Sequence, residues 1–187
     1  MTLVQQTSDS VPQDRPESRA RPGKTTCPEG RLSSPTATGP AGRPVISIEA
    51  YAPYYLTAVN TALSRGASKQ YLRQFGVGVS EWRVMSWLAT EPGIAAARIG
   101  EVISMDKGAV SRAVAKLDAL NLLDSTAPSR DPRRRLLALN AEGHALHDRI
   151  LERALDREAK LIEGVDPEDL EAFLRVMRIL RRNVTRL

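Results

Sequence analysis

The chain has 187 residues, a formal net charge of +5, 42% hydrophobic and 26% charged residues. That length holds one ordinary domain plus a tail, and the balance supports a packed core in a soluble, cytoplasmic protein. A single cysteine excludes an internal disulfide, two histidines leave little for a metal site, and neither a signal-peptide core nor an apolar run of membrane-spanning length is present, so no membrane partner is expected.

Residues 1–44 read as a disordered tail. Pro12, Pro16, Pro22, Pro28, Pro35, Pro40 and Pro44 punctuate a stretch rich in Ser, Thr, Arg and Gly with almost no aliphatic periodicity. Six basic residues stand against four acidic ones there. Cys27 falls in this tail with no evident neighbour to lower its pKa, which argues against a redox switch.

A domain is expected over 45–187. From Val45 to Phe75, Ile48, Tyr51, Tyr55, Val59, Ala62 and Leu63 keep a helical spacing, and Gly76 and Gly78 end the segment. Three tyrosines within five residues (Tyr51, Tyr54, Tyr55) point to packing against a second subunit. Ser80 is expected to cap the next helix, with Glu81 in its first turn and Trp82, Val84, Met85, Trp87 and Leu88 supplying its core. Glu91-Pro92-Gly93 stops it. A short helix with Ile99 and Val102 inward follows, then a turn at Ile103-Ser104-Met105.

The helix from Asp106 to Leu120 has two faces. Val110, Ala113, Val114, Leu117 and Leu120 share the inward arc. Lys107, Gly108, Ser111, Arg112, Ala115 and Lys116 share the outward one, basic and otherwise made of small residues, a surface that can approach phosphates and base edges. Two short helices joined by a tight turn, the second so decorated, form a helix-turn-helix pattern. Residues 121–127 and 136–139 then read as two strands joined by Pro128-Ser129-Arg130-Asp131-Pro132-Arg133-Arg134-Arg135, a wing with a basic tip in which Asp131 can pair with a neighbouring arginine. Residues 107–135 hold seven basic and three acidic residues, so most of the chain's excess charge is concentrated here. Ser111 and Arg112 are expected at base edges or nearby phosphates of double-stranded DNA. Lys107 and Lys116 are placed on phosphates, with a merely solvated Lys116 as the alternative. Arg133 is placed in the minor groove, with Arg134 and Arg135 beside it or on the backbone.

Asn140 caps a long helix to about Glu163. Asp166-Pro167-Glu168-Asp169 starts another that runs to the end. These two helices exceed what is needed to cover the wing, and read with the first helix as a dimerisation arm. The organisation is therefore 45–78 and 140–187 for dimerisation and 79–139 for the DNA-binding lobe. The fold class is mainly α, a winged helix-turn-helix with a small two- to three-stranded antiparallel wing and flanking dimerisation helices.

These blocks resemble the MarR family of winged helix-turn-helix regulators. The similarity is carried by Glu81-Trp82-Arg83-Val84-Met85, Met105 to Val114, Leu117 to Leu123, Asp131-Pro132-Arg133 and Leu139-Asn140-Ala141-Glu142-Gly143, within a match from about Tyr54 to Val184. It implies an obligate homodimer of triangular shape, binding a palindromic operator, most often as a repressor released by a small ligand or by oxidation. Departures are Asn140 in place of the family's usual Thr, three consecutive arginines where its Asp-x-Arg motif asks for Arg133 alone, and the proline-rich tail. The resemblance places an effector between the dimer helices and the winged lobe, where Tyr54, Tyr55, Trp82, Arg83 and Met85 could line a pocket with Arg83 pairing an anionic group. Plain core and dimer packing is the alternative for these five. His144 and His147 read as surface histidines rather than a metal site. With no nucleophile elbow, phosphate loop, metal-ligand cluster or paired carboxylates, no catalytic residue and no cofactor is expected. A non-specific or architectural DNA binder remains the alternative to a sequence-specific regulator.

Overall fold

The computed structural model describes residues 31–126 and 135–187. Cys27 and residues 127–134, the expected wing tip, lie outside them. The chain divides into two compact units, one up to Tyr54 and one from Tyr55.

In the first unit, β1 (Thr36–Thr38) and β2 (Pro44–Ile46) pair antiparallel, with Thr36 opposite Ile46 and Thr38 opposite Pro44. This corrects two expectations. The tail does not run unstructured to residue 44, and the helix does not begin at Val45. The turn between the strands holds Ala41 and Gly42 at positive φ, and Gly39 N–H donates to the Arg43 carbonyl at 2.8 Å. Low-complexity composition concealed a specific turn. Val45 and Ile46 are β-branched, which favours extended backbone over helix. The Arg31 guanidinium donates to the Ala50 carbonyl, tying the end of the unit to its start.

Helix α1 (Ala52–Phe75) crosses into the second unit and ends at Gly76, whose φ of +74° gives the left-handed C′ position. Helix α2 spans Val79–Thr90. Its N-cap is Gly78, not Ser80: the Glu81 carboxylate reaches back to accept from Gly78 N–H at 2.6 Å. A side chain three residues into the helix thus satisfies the first turn from the opposite direction. Strand β3 (Ile94–Ala95), α3 (Ala96–Ile103) and α4 (Lys107–Ala119) follow. Then come β4 (Leu123–Thr126), β5 (Leu136–Leu139), α5 (Ala141–Leu161) and α6 (Pro167–Val184). The sheet order is β3-β5-β4, antiparallel throughout, so the wing has a third strand contributed from ahead of α3.

One apolar cluster holds this unit together. Val84, Met85 and Leu88 from α2, Ile99 from α3, Val110, Ala113 and Leu117 from α4, Leu137 and Leu139 from β5, and Ile150 from α5 are all buried. Burial of side chains this size is worth roughly 1.5–3 kcal/mol each before entropy is counted. Leu120, expected inward, is the C-cap of α4 and 46% exposed, because the helix ends as its arc turns away from the core. Leu72 on α1 is likewise exposed. Asn140 caps α5 as expected, accepting from Gly143 N–H at 2.8 Å, and Asp166 caps α6 through Glu168 N–H at 2.8 Å. No helix among the described residues is long and apolar enough to cross a membrane.

Candidate nucleic-acid interface

The tight turn before α4 is closed by Ser104 at φ +53° and by Met105 N–H donating to the Gly100 carbonyl at 3.0 Å. Asp106 then caps α4, its Oδ1 accepting from Ala109 N–H at 2.8 Å. The cap stops the backbone rotation of the turn and sets the phase of the helix. That phase buries Val110, Ala113 and Leu117 and leaves Lys107, Ser111, Arg112 and Ala115 exposed on the other side. Gly108 and Ala115 keep this face low, and the Arg112 guanidinium lies over Gly108, its Nη1 3.2 Å from where a Cβ there would stand. Among the described residues neither Lys107 nor Arg112 makes an ion pair.

The other two described cations of the expected DNA surface have partners. Lys116 leans toward α2, its Nζ 3.8 Å from Glu81 Oε2, the carboxylate that also caps α2. Arg135, at the entry to β5, forms a fork on Asp118 of α4: Nη2 donates to Oδ1 at 2.7 Å and Nη1 to Oδ2 at 3.1 Å. The donated hydrogen bonds, and then the positive charge, hold the Asp118 carboxyl below the usual carboxylate range. Arg133 and Arg134 lie outside the described residues, as does Asp131. A groove of about 810 Å³ runs between α3 and α4, walled by Gly100, Met105, Val110, Ser111 and Ala115 and bounded by the Asp118–Arg135 pair.

A second concavity, about 300 Å³, lies between α1, α2 and α5. Of the five residues expected around an effector, Trp82 and Arg83 line it; Tyr54, Tyr55 and Met85 do not. Met85 is fully buried, because its place on α2 puts it in the apolar cluster rather than on the wall of the cavity. Tyr55 is half exposed on α1. The residue missed by sequence reasoning is Arg157. It donates to Gln70 Oε1 at 3.2 Å and to the Leu63 carbonyl at 3.3 Å, spanning α5 to α1. Its signal was present: Ile150, Ala154, Arg157 and Leu161 keep one helical face, so a cation interrupts an apolar stripe. Burial pushes the Tyr71 hydroxyl pKa up, partly opposed by the Arg157 charge and hydrogen bond. Trp82 stacks on His147 at 5.2 Å between centroids and meets Tyr71 edge-on at 6.3 Å, so His147 serves the packing of this wall.

Residues 75–135 match the model of the MarR family. No curated protein is matched by the sequence. Among solved structures, the chain is similar to a MarR/EmrR family transcriptional regulator from Acinetobacter sp. ADP1, with 27% identity and a TM-score of 0.70 over 76% of this chain and 100% of that one. It shares its fold with MepR of S. aureus, solved as a DNA complex (17% identity, TM-score 0.63, 74% and 99% of the two chains). It also shares its fold with PcaV of Streptomyces coelicolor, solved with its natural ligand (19% identity, TM-score 0.63, 74% and 96%).

Proposed function

Because residues 75–135 match the MarR family and the fold is that of its solved transcriptional regulators, we propose that the chain works as a homodimeric, sequence-specific repressor of a pseudo-palindromic operator, relieved by a small ligand. The observation that carries the DNA-binding reading is the outer face of α4, where Lys107, Ser111 and Arg112 stand exposed over Gly108 and Ala115 beside the root of the wing. In this reading Arg112 and Ser111 enter the major groove and Lys107 takes a phosphate. Lys116 adds to the field from the α2 side, and Arg133 and Arg134 of the wing reach the minor groove. Dimerisation is supported by α6, none of whose residues is buried within one chain while Phe173, Val176 and Val184 are more than half exposed.

The ligand reading is supported by the cavity between α1, α2 and α5. Its apolar wall of Leu63, Ala67 and Trp82 and its two guanidinium groups, Arg83 and Arg157, suit an anion with an apolar or aromatic body. No catalytic role is assigned to the chain, and it acts in the cytoplasm where its DNA target is.

The test begins with duplex selection from a randomised pool, followed by fluorescence anisotropy against competitor DNA at physiological salt. A specific regulator selects an inverted repeat and holds it at least about a thousandfold more tightly than competitor. Equal affinity for selected and competitor duplexes would instead assign the protein to non-specific, architectural binding. Arg112→Ala should lower the preference for the selected duplex by about 1–3 kcal/mol. Unchanged affinity and specificity would remove Arg112 from the interface.

A further inference from the structure

Resting on the DNA-binding reading above, we propose that Asp118 and Arg135 form a clamp that fixes the wing against the recognition helix, so that Arg135 is a positioning residue and not a DNA contact. Asp118 stands in the last turn of α4, and Arg135 is where the chain returns from the wing into β5. Strand β4 follows α4 directly through Leu120–Leu122, with Leu122 N–H donating to the Leu117 carbonyl at 3.0 Å. Strand β5 has no such covalent proximity. The fork from Arg135 ties that returning end to α4, across 17 positions of sequence.

Two features make this more than a surface ion pair. The first is geometry. Two parallel hydrogen bonds at 2.7 and 3.1 Å fix the plane of the guanidinium as well as its distance, which a single contact would not. The second is charge. Asp118 falls on the arc of α4 that also carries Ser111 and Ala115, and it bounds the same groove as Lys107 and Ser111. An unpaired carboxylate there repels phosphate. Held under Arg135 its charge is offset, and the pair fixes where the chain enters β5. Exposed pairs contribute little to stability, so the clamp's effect falls on DNA affinity and wing order rather than on global folding. Once DNA covers the groove, the lower local dielectric strengthens the pair.

Four variants decide the matter, each measured by anisotropy on the duplex that the wild-type protein selects: Asp118→Ala, Arg135→Lys, Arg135→Gln and the double variant Asp118→Ala/Arg135→Gln. A clamp makes Asp118→Ala weaken binding about fivefold to tenfold, although it removes a negative charge from a DNA-facing surface. Arg135→Lys weakens it comparably, since an ammonium keeps the charge but not the fork. The double variant is no worse than either single one, and the salt dependence of binding keeps its slope. A direct phosphate contact by Arg135 gives the opposite pattern and overturns the proposal: Asp118→Ala binds more tightly, Arg135→Lys binds as wild type, and Arg135→Gln lowers the salt slope by about 0.9.

Amide exchange on the free protein supplies a readout that needs no DNA. Asp118→Ala should exchange faster at Leu136–Leu139 while circular dichroism and melting stay near wild type. Unchanged exchange there also overturns the clamp. A wild-type protein with no preference for any duplex would sink the regulator reading alone, and the exchange comparison would still decide the clamp.

Discussion

Alanine at Gly143 would drive its methyl group into the Leu122 carbonyl, a backbone atom with little room to yield. On helix propensity alone the exchange should stabilise by about 1 kcal/mol, so the sign of the result shows which effect wins. The expected outcome is a net loss of about 2 kcal/mol, read as a fall of several degrees in melting temperature. Asn140, three residues earlier, accepts from Gly143 N–H and donates to the Asn121 carbonyl at 2.8 Å. One side chain thus fastens both the start of α5 and the end of the recognition segment. Asp118 carries a pH signature. Its folded pKa is depressed, chiefly by hydrogen bonds from Arg135, so the pair's contribution is present above the ordinary carboxylate pKa of about 4 and is lost as pH falls through the lower folded value. NMR titration of its carboxyl carbon should give a midpoint below that of the same group in Arg135→Gln; coincident midpoints would mean the fork does not persist in solution. The capping roles of Asp106, Asn140 and Asp166 were legible in the sequence because a cap acts on its own next turn. The Asp118–Arg135 and Lys116–Glu81 pairs were not, since each joins residues that only the folded chain brings within reach.

Element by element, α4 and α6 pose opposite problems. The apolar arc of α4 is answered within the chain: Val110, Ala113 and Leu117 are buried against α2 and α3. The apolar residues of α6 are not, with Phe173 54% and Val184 65% exposed. An amphipathic helix with an unburied stripe is marginal alone. In the proposed homodimer, Phe173→Asp is therefore expected to shift sedimentation velocity from dimer to monomer and to weaken operator binding. A Phe173→Asp protein that stays dimeric would move the interface away from this face. Apart from the start of α1, expected at Val45 and found at Ala52, the helical elements were readable from periodicity to within a few residues, including the restart at Asp166. Strand β3 was not, because two residues carry no period and are identified only by pairing with Leu136 and Leu137. The hairpin at 36–46 was hidden for a related reason: prolines and glycines that read as tail composition are the ones its turn uses.

For the whole molecule, the regulator reading requires two recognition helices held at one spacing. Footprinting on the selected duplex should show two protected half-sites about one helical turn apart, on one face of the DNA. Millimolar benzoate, as a simple aromatic anion, should raise the melting temperature and lower operator affinity, and Arg157→Ala should abolish both effects. A ligand-induced rise that survives Arg157→Ala would place the ligand elsewhere. The sequence by itself determined the course of α2 to α6, the caps at Asp106, Asn140 and Asp166, which face of 107–119 is basic and small, and the family that these blocks resemble. Each of these is local, set by side chains a turn or a strand apart. Tertiary structure alone decided that Lys107 and Arg112 make no ion pair among the described residues, that Met85 is core while Arg157 reaches a cavity, and that the chain's entry into β5 is fastened to Asp118. Those outcomes depend on distances between residues far apart in sequence, and folding fixes such distances only through the packing of whole elements.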